Sequence, residues 1–366
     1  MENKPTILVL GKLPPPLMGP AIATNIILNS SLKEQFNLLH FDTRINKEVS
    51  TMGRWSIGKS FKMLSLYRNF KRLIKQTQPD IILVPISQTT MGFYKDAQFI
   101  SIGAKYTKVV VQLRGSNFKN WLAAANNSTN SFVQQTLQKC AGVIVLGNNL
   151  KHLFEDFFEE QQIFVVPNGG NYELQSRKSE ELTVLYLANF LPSKSFDDVL
   201  KALVILKERG ITNFKLNAAG AWGNEVFKQK CLAIIEENQL DNVILFPPQT
   251  GDAKMQLFAD ADVFVFCPKM PEGHPWVIVE AMANGLPVVA TDQGAIIESV
   301  VNDENGFIVP TERPVVIADR LEELVGDAEL RTQFSQQSKT FYKANFTEER
   351  MVENLKGVFD SVLHGQ

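Results

Sequence analysis

The sequence predicts an α/β protein made of two doubly wound, parallel-sheet domains in tandem. Three observations carry this. The chain has 366 residues, too many for one ordinary core and suited to two of ~150–200. Short apolar strands alternate with amphipathic helices through both halves, which is the signature of parallel α/β sheets. Runs such as Val109–Val111 and Val263–Phe266 lack polar alternation, as strands covered on both faces do.

In chain order, the first half places strands at Thr6–Leu10, Ile81–Pro85, Val109–Leu113, Gly142–Leu146 and Ile163–Val166. The second places them at Leu182–Leu187, Lys215–Ala219, Val243–Phe246, Val263–Cys267, Pro287–Thr291 and Gly306–Val309. Between the halves, the polar, Gly-containing stretch 168–181 reads as a linker, so the expected domains are 1–170 and 171–345. Thr347–Leu363 reads as a helix capped by Thr347, with Glu348 and Glu349 in its first turn. This terminal segment, 346–366, is expected to return to the first domain. Ligands of open parallel sheets bind beyond the carboxyl ends of the strands, so two such domains predict a cleft there.

Composition narrows the class. Hydrophobic residues make up 45% and charged residues 21%, which excludes a disordered or fibrous chain. Cys140, Cys231 and Cys267 are odd in number and form no CxxC pair. That argues against a disulfide framework or a zinc site and for a reducing compartment. The first apolar run ends at Gly11 and three nearby prolines, too short for a signal-peptide core, and no run of about 18 apolar residues suggests a membrane span. The expected location is cytoplasmic, with peripheral attachment to the inner face of a membrane left open. The net charge of −2 hides an asymmetry: residues 1–170 carry 19 basic and 10 acidic side chains (+9), residues 171–366 carry 18 and 29 (−11). Either the first half attracts something anionic, or the charge drifts between domains without consequence. No nucleic-acid partner is expected.

The informative segment is Pro271–Thr291, PEGHPWVIVEAMANGLPVVAT. It follows a strand, turns at Gly273 and His274, and starts a helix in which Pro275 suits the first position. Asn284-Gly285 ends that helix. The helix N-terminus offers free N–H groups and a positive dipole to an anion such as a diphosphate. Glu272 stands on the loop before it and Glu280 lies two turns along. A carboxylate accepts from two sugar hydroxyls at once, so the pair suits a ligand of sugar, diphosphate and ribose. Taken alone, one glutamate would as readily cap the helix and the other face solvent.

The whole segment resembles the E-x7-E region of the family 4 glycosyltransferases. The turn Glu272-Gly273-His274-Pro275, the run Glu280–Ala283, the stop Gly285-Leu286-Pro287, and Asp292-Gln293-Gly294-Ala295 with Glu298 and Asn305-Gly306 fall in that family's order. The resemblance implies the two-domain GT-B fold, a nucleotide-diphosphate sugar as donor, retention at the anomeric carbon and no required metal or other cofactor. It implies that Glu280 binds the donor ribose, that Glu272 contacts the donor sugar, and that Gly273, His274, Pro275 and Trp276 help hold sugar and phosphate. It also makes the first domain the acceptor domain and the second the donor domain.

Other stretches join it. In Leu185–Ser195, Lys194 sits where the family has a lysine gripping the diphosphate, while Asn189 replaces an arginine and Ser195 a common glycine. An amide stabilises a developing anion less than a guanidinium does. Gly19-Pro20, after the first strand, resembles the family's first loop, which covers the donor diphosphate. Arg114 follows a strand where many relatives have histidine nearby; it stays protonated and cannot be a general base, but it can hold a phosphate or the acceptor. A salt-bridged structural arginine is the competing reading. Asn168-Gly169 matches the family's Asn-Gly at the end of the first domain, or is only a turn.

Some features carry less. Asp260-Ala261-Asp262 is formally a DxD metal signature, but it precedes a strand and reads as structural. Trp222 and Phe246–Thr250 follow strands where a nucleotide base would stack, or belong to the core. The stretch 54–75 holds Arg54, Lys59, Lys62, Arg68, Lys71, Arg72 and Lys75 and no acid. As an amphipathic helix it either lies on an anionic membrane or covers the sheet with a solvated basic face.

The combined expectation is transfer of a sugar to a saccharide or polyprenyl-linked acceptor in polysaccharide or glycolipid synthesis, with Glu272, Lys194 and Arg114 at the chemistry. No dedicated nucleophile is evident, so a front-face displacement is expected. Three alternatives stay open: a sugar-nucleotide epimerase, a phosphorylase, and a non-catalytic nucleotide-binding subunit. A nicotinamide dehydrogenase is disfavoured because no G-x-G-x-x-G follows the first strand.

Overall fold

The computed structural model describes residues 4–15, 18–44 and 57–365. The chain divides into two compact units, Met1–Asn168 with Glu348–Gln366, and Gly169–Thr347.

The first unit holds a six-stranded parallel sheet of β1 (Thr6–Gly11), β2 (Asn37–Asp42), β3 (Ile81–Ile86), β4 (Lys108–Leu113), β5 (Gly142–Val145) and β6 (Ile163–Val165), in the order β2-β1-β3-β4-β5-β6. Its central strands are sealed on both faces: Leu8, Ile82, Val110 and Val143 have no exposed surface. The strands foreseen from the sequence agree within a residue at their ends, but β2 was not foreseen. It is one of the two edge strands, paired only with β1, and its residues from Leu38 to Asp42 are only partly buried. With half its surface in solvent and His40 in its middle, it lacks the apolar run that marks the others.

The second unit repeats the plan with β7 (Thr183–Leu187), β8 (Lys215–Ala219), β9 (Val243–Phe246), β10 (Val263–Phe266), β11 (Val288–Thr291) and β12 (Gly306–Val309), ordered β12-β11-β10-β7-β8-β9. The chain winds outward from β7 through β8 to β9, then crosses to β10 and winds the other way. Strand order therefore reverses between β7 and β10, and in the first unit between β1 and β3. Loops leaving the carboxyl ends of two strands at a reversal turn to opposite faces and open a crevice, where ligands of such sheets bind.

The helix Glu348–His364 belongs with the first unit. Phe359 meets Phe36 edge-on at 5.5 Å between ring centroids, and Lys108 Nζ donates to the carbonyl of Val362 at 2.7 Å. The linker segment is tied to the second unit. Arg177 forms a fork with the Asp262 carboxylate at 2.7 and 2.9 Å, and the N–H groups of Lys178 and Ser179 donate to Asp260. Both acids of the DxD sequence are thus structural. Among the described residues, no helix is long and apolar enough to cross a membrane.

Candidate functional site

At the reversal of the second sheet, β7 and β10 deliver two short loops side by side. The β7 loop turns through Pro192–Lys194 and enters the helix Phe196–Glu208 at Ser195, whose φ of 54° and ψ of 38° are left-handed. Glycine is at ease there and serine is not, which accounts for the glycine expected at this position. Tyr186 Oη donates to the carbonyl of Lys194 at 3.1 Å and fixes the turn. The Lys194 side chain then lies with its ammonium 5.5 Å from the centroid of Phe266 and forms an ion pair with Glu272, both only partly accessible.

Glu272 belongs to the β10 loop, which is anchored from below. The Thr291 hydroxyl donates to the carbonyl of Pro268 at 2.5 Å, and the Ala295 N–H donates to the carbonyl of Gly273 at 2.8 Å. Gly294 has φ of +63°, and a Cβ there would collide with the carbonyl oxygens of Glu272 and Gly273. His274 is buried beneath the turn, with Nε2 2.6 Å from Ser299 Oγ and its ring against Phe346. Burial pulls its pKa down to about 4, so it stays neutral near pH 7. Its place is under the loop, supporting the backbone that was expected to hold the ligand.

The helix runs from Trp276 to Ala283. Pro275 is its N-cap, with ψ of 128°, rather than its first residue; its own extended backbone makes the turn into the helix. Glu280 sits about one turn along and is 7% exposed. Its Oε1 accepts from Lys254 Nζ, while Oε2 is buried without a hydrogen-bond partner. Burial raises its pKa, and the Lys254 charge and hydrogen bond oppose the rise. Lys254, on the helix Gly251–Ala259, was missed in the sequence. No spacing rule links it to Glu280, because the pairing depends on how two helices lie against one sheet.

The remaining candidates separate. Asn189 is exposed, and its Oδ1 accepts the Ala221 N–H at 3.3 Å, so it bridges backbone in place of the expected arginine. Trp222 stacks on Phe190 at 4.3 Å, which leaves it in the aromatic cluster with Phe196. In the first unit, Gly19 opens the helix Gly19–Asn29, with Pro20 in its second position rather than its first. Arg114 follows β4, and its guanidinium donates to Asn168 Oδ1 at 3.0 Å and Gln112 Oε1 at 2.9 Å. No carboxylate pairs with it among the described residues, which corrects the salt-bridge reading. Burial lowers its pKa to about 10. Asn168 is therefore a partner of Arg114 as well as the end of the unit.

In the basic stretch, Arg54 and the side chain of Lys59 lie outside the described residues. The rest forms the helix Ile57–Thr77, with Phe70 and Ile74 buried and Lys62, Arg68, Lys71, Arg72 and Lys75 exposed.

Residues 172–341 match the family model described as glycosyl transferases group 1. A protein of Haemophilus influenzae named as an uncharacterized glycosyltransferase is 24% identical over 327 residues, covering 87% of this chain and 86% of that one. The capsular polysaccharide biosynthesis glycosyltransferase CapM of Staphylococcus aureus is 25% identical over 256 residues, 63% of this chain and 66% of that protein. Among solved structures, Anabaena HepE in complex with UDP and glucose superposes with a TM-score of 0.72 at 15% identity, over 97% of this chain and 99% of that one. The two six-stranded parallel sheets with their flanking helices are those of the GT-B fold.

Proposed function

We infer, from a second unit that carries the group 1 glycosyl transferase match over residues 172–341, that the chain transfers a sugar from a nucleotide-diphosphate sugar to a saccharide or lipid-linked acceptor. The observation that carries the reading is the convergence of Lys194, Glu272 and the N-terminus of the helix Trp276–Ala283 at the reversal of the second sheet, with the unpartnered Oε2 of Glu280 about one turn behind. CapM supports cell-surface polysaccharide synthesis as the setting, and the UDP and glucose bound by HepE support the donor class.

Each group has a role in this reading. Without ligand, Lys194 and Glu272 neutralise each other. An arriving diphosphate competes for the ammonium and receives the helix N–H groups, which frees Glu272 to accept from the hydroxyls of the sugar. Charge grows on the departing diphosphate in the transition state, where Lys194 and the helix dipole stabilise it without a metal. Glu280 accepts from a ribose hydroxyl through its spare oxygen. Asn189 adds only neutral polarity beside the phosphates. In the first unit, Arg114 is a fixed cation and not a base. No side chain is poised as a nucleophile, so the proton of the acceptor leaves with the phosphate in a front-face, retaining displacement.

The experiment is nucleotide release from UDP-, GDP-, ADP- and dTDP-sugars with Glu280→Ala as control. Release from one donor that is lost in the variant supports the transferase, and a product anomer matching the donor by NMR supports retention. A trapped covalent glycosyl-enzyme, or activity abolished by a chelator, overturns the mechanism. Binding of no nucleotide overturns the reading altogether. A peripheral membrane site is proposed for the 54–75 stretch, where Phe61 and Leu64 are 71% and 46% exposed beside the basic face. Flotation with anionic but not neutral vesicles checks it.

A further inference from the structure

The first unit has a pocket of its own, at the point where its strand order reverses. It encloses about 200 Å³ beyond the carboxyl ends of β1, β3 and β4, over an apolar floor that includes Val9, Leu10 and Phe99. Its charged lining is Lys12, Lys95, Asp96 and Arg114. Asp96 is committed: it accepts the Ser87 N–H at 2.9 Å and hydroxyl at 2.6 Å, and pairs with Lys95 at 3.0 Å. Among the described residues, Arg114 has only the amides of Gln112 and Asn168 as hydrogen-bond partners. Lys12 has no ion pair among the described residues, and its pKa is lowered by burial and then by the charge of Lys95. The carboxylates of Asp42 and Asp96 oppose that lowering, and Arg44, whose charge also reaches Lys12, is paired with Asp42.

Three cations and one acid leave the lining with a formal charge of +2. Like charges gathered in a partly desolvated place repel one another, and a bound anion relieves that repulsion. We propose that this pocket binds a phosphoryl dianion carried by the acceptor, so that the sugar is delivered to a phosphorylated molecule. A phosphoryl group brings a charge of about −1.5 to −2 and three oxygens that accept from several donors at once. Arg114 offers a planar fork and the two lysines offer point charges. A carboxylate would leave one charge unmatched, and the volume is too small for a whole nucleotide sugar. The nature of the acceptor rests on the transferase reading; the anion site itself does not.

The probe is phenyl phosphate, titrated calorimetrically into the full chain, with benzenesulfonate and inorganic phosphate as comparators. The expected result is saturable binding of phenyl phosphate that weakens about tenfold or more in Lys12→Met/Lys95→Met, since a charged hydrogen bond contributes about 1.5–3 kcal/mol. Lys12→Arg/Lys95→Arg should retain it, and Lys95→Glu, a second independent variant, should lose it. Benzenesulfonate, with a single charge, should bind several-fold more weakly. The proposal is overturned if phenyl phosphate does not bind, if it binds the Met variant as well as the wild type, or if Lys194→Ala removes it, which would place the anion in the second unit. Inorganic phosphate binding as tightly as phenyl phosphate would overturn the acceptor-borne source in favour of free phosphate. A parallel titration with UDP separates the two readings: phenyl phosphate binding without nucleotide binding leaves the pocket standing and the transferase fallen, and the converse leaves the transferase alone.

Discussion

Lys254 holds one oxygen of Glu280 and leaves the other buried and unpartnered. A buried carboxylate survives only with a countercharge, so the lysine keeps the glutamate ionised and oriented for a hydroxyl donor. Lys254→Met should lower stability by about 3 kcal/mol at neutral pH. The pKa of Glu280 is raised above 4.5 in the folded chain and should rise further in the variant. The folded state then holds that proton more tightly than the unfolded one, so the variant loses stability as pH rises through the window above 4.5 and recovers below it. Thermal melting across the acid-to-neutral range checks this.

Lys194→Ala should reduce turnover about a hundredfold, the usual loss when one group facing the developing charge is removed. Its effect on stability should be small, because a partly exposed pair contributes ~1 kcal/mol or less. Steady-state kinetics beside urea unfolding separate the two. Equal losses in turnover for Lys194→Ala and Lys194→Arg would refute a simple charge role.

Gly294→Ala should destabilise the second unit by about 1–3 kcal/mol, the range for a residue forced into a left-handed backbone. It should also lose nucleotide binding, because the added methyl strikes the carbonyls of Glu272 and Gly273. If nucleotide affinity persists at full stability, the loop is not anchored as described.

His274 predicts an acid limb. Its pKa falls from 6.5 to about 4 on burial, so the unfolded chain takes up the proton first. Stability is present above about 6.5 and is lost as pH falls toward about 4, by about 3 kcal/mol in all. His274→Asn should flatten this limb, read as melting temperature against pH.

Much of this architecture was legible because it repeats a rule. Strands sealed on both faces, such as Val109–Val111, advertise themselves, whereas the edge strand Asn37–Asp42 pairs only with β1, stays partly exposed and shows little in composition. Glu272 and Lys194 could be picked out since each follows a strand in a recognisable order. Lys254 could not, nor could the cluster of Lys12, Lys95 and Arg114. Residues distant in sequence meet there through packing that no local pattern encodes. The fate of Arg114 was open for the same reason: its neighbours are amides from β4 and from the end of the unit.

The helix Glu348–His364 completes the first unit, although the whole of the second unit precedes it in the chain. On the ribosome, residues 169–347 emerge in full before Phe359 can reach Phe36 or Lys108 can meet Val362. The order of maturation is thus the reverse of the order of synthesis. The second unit has all its parts first, and the first unit waits with the hydrophobic seat of that helix uncovered until the helix itself has been made.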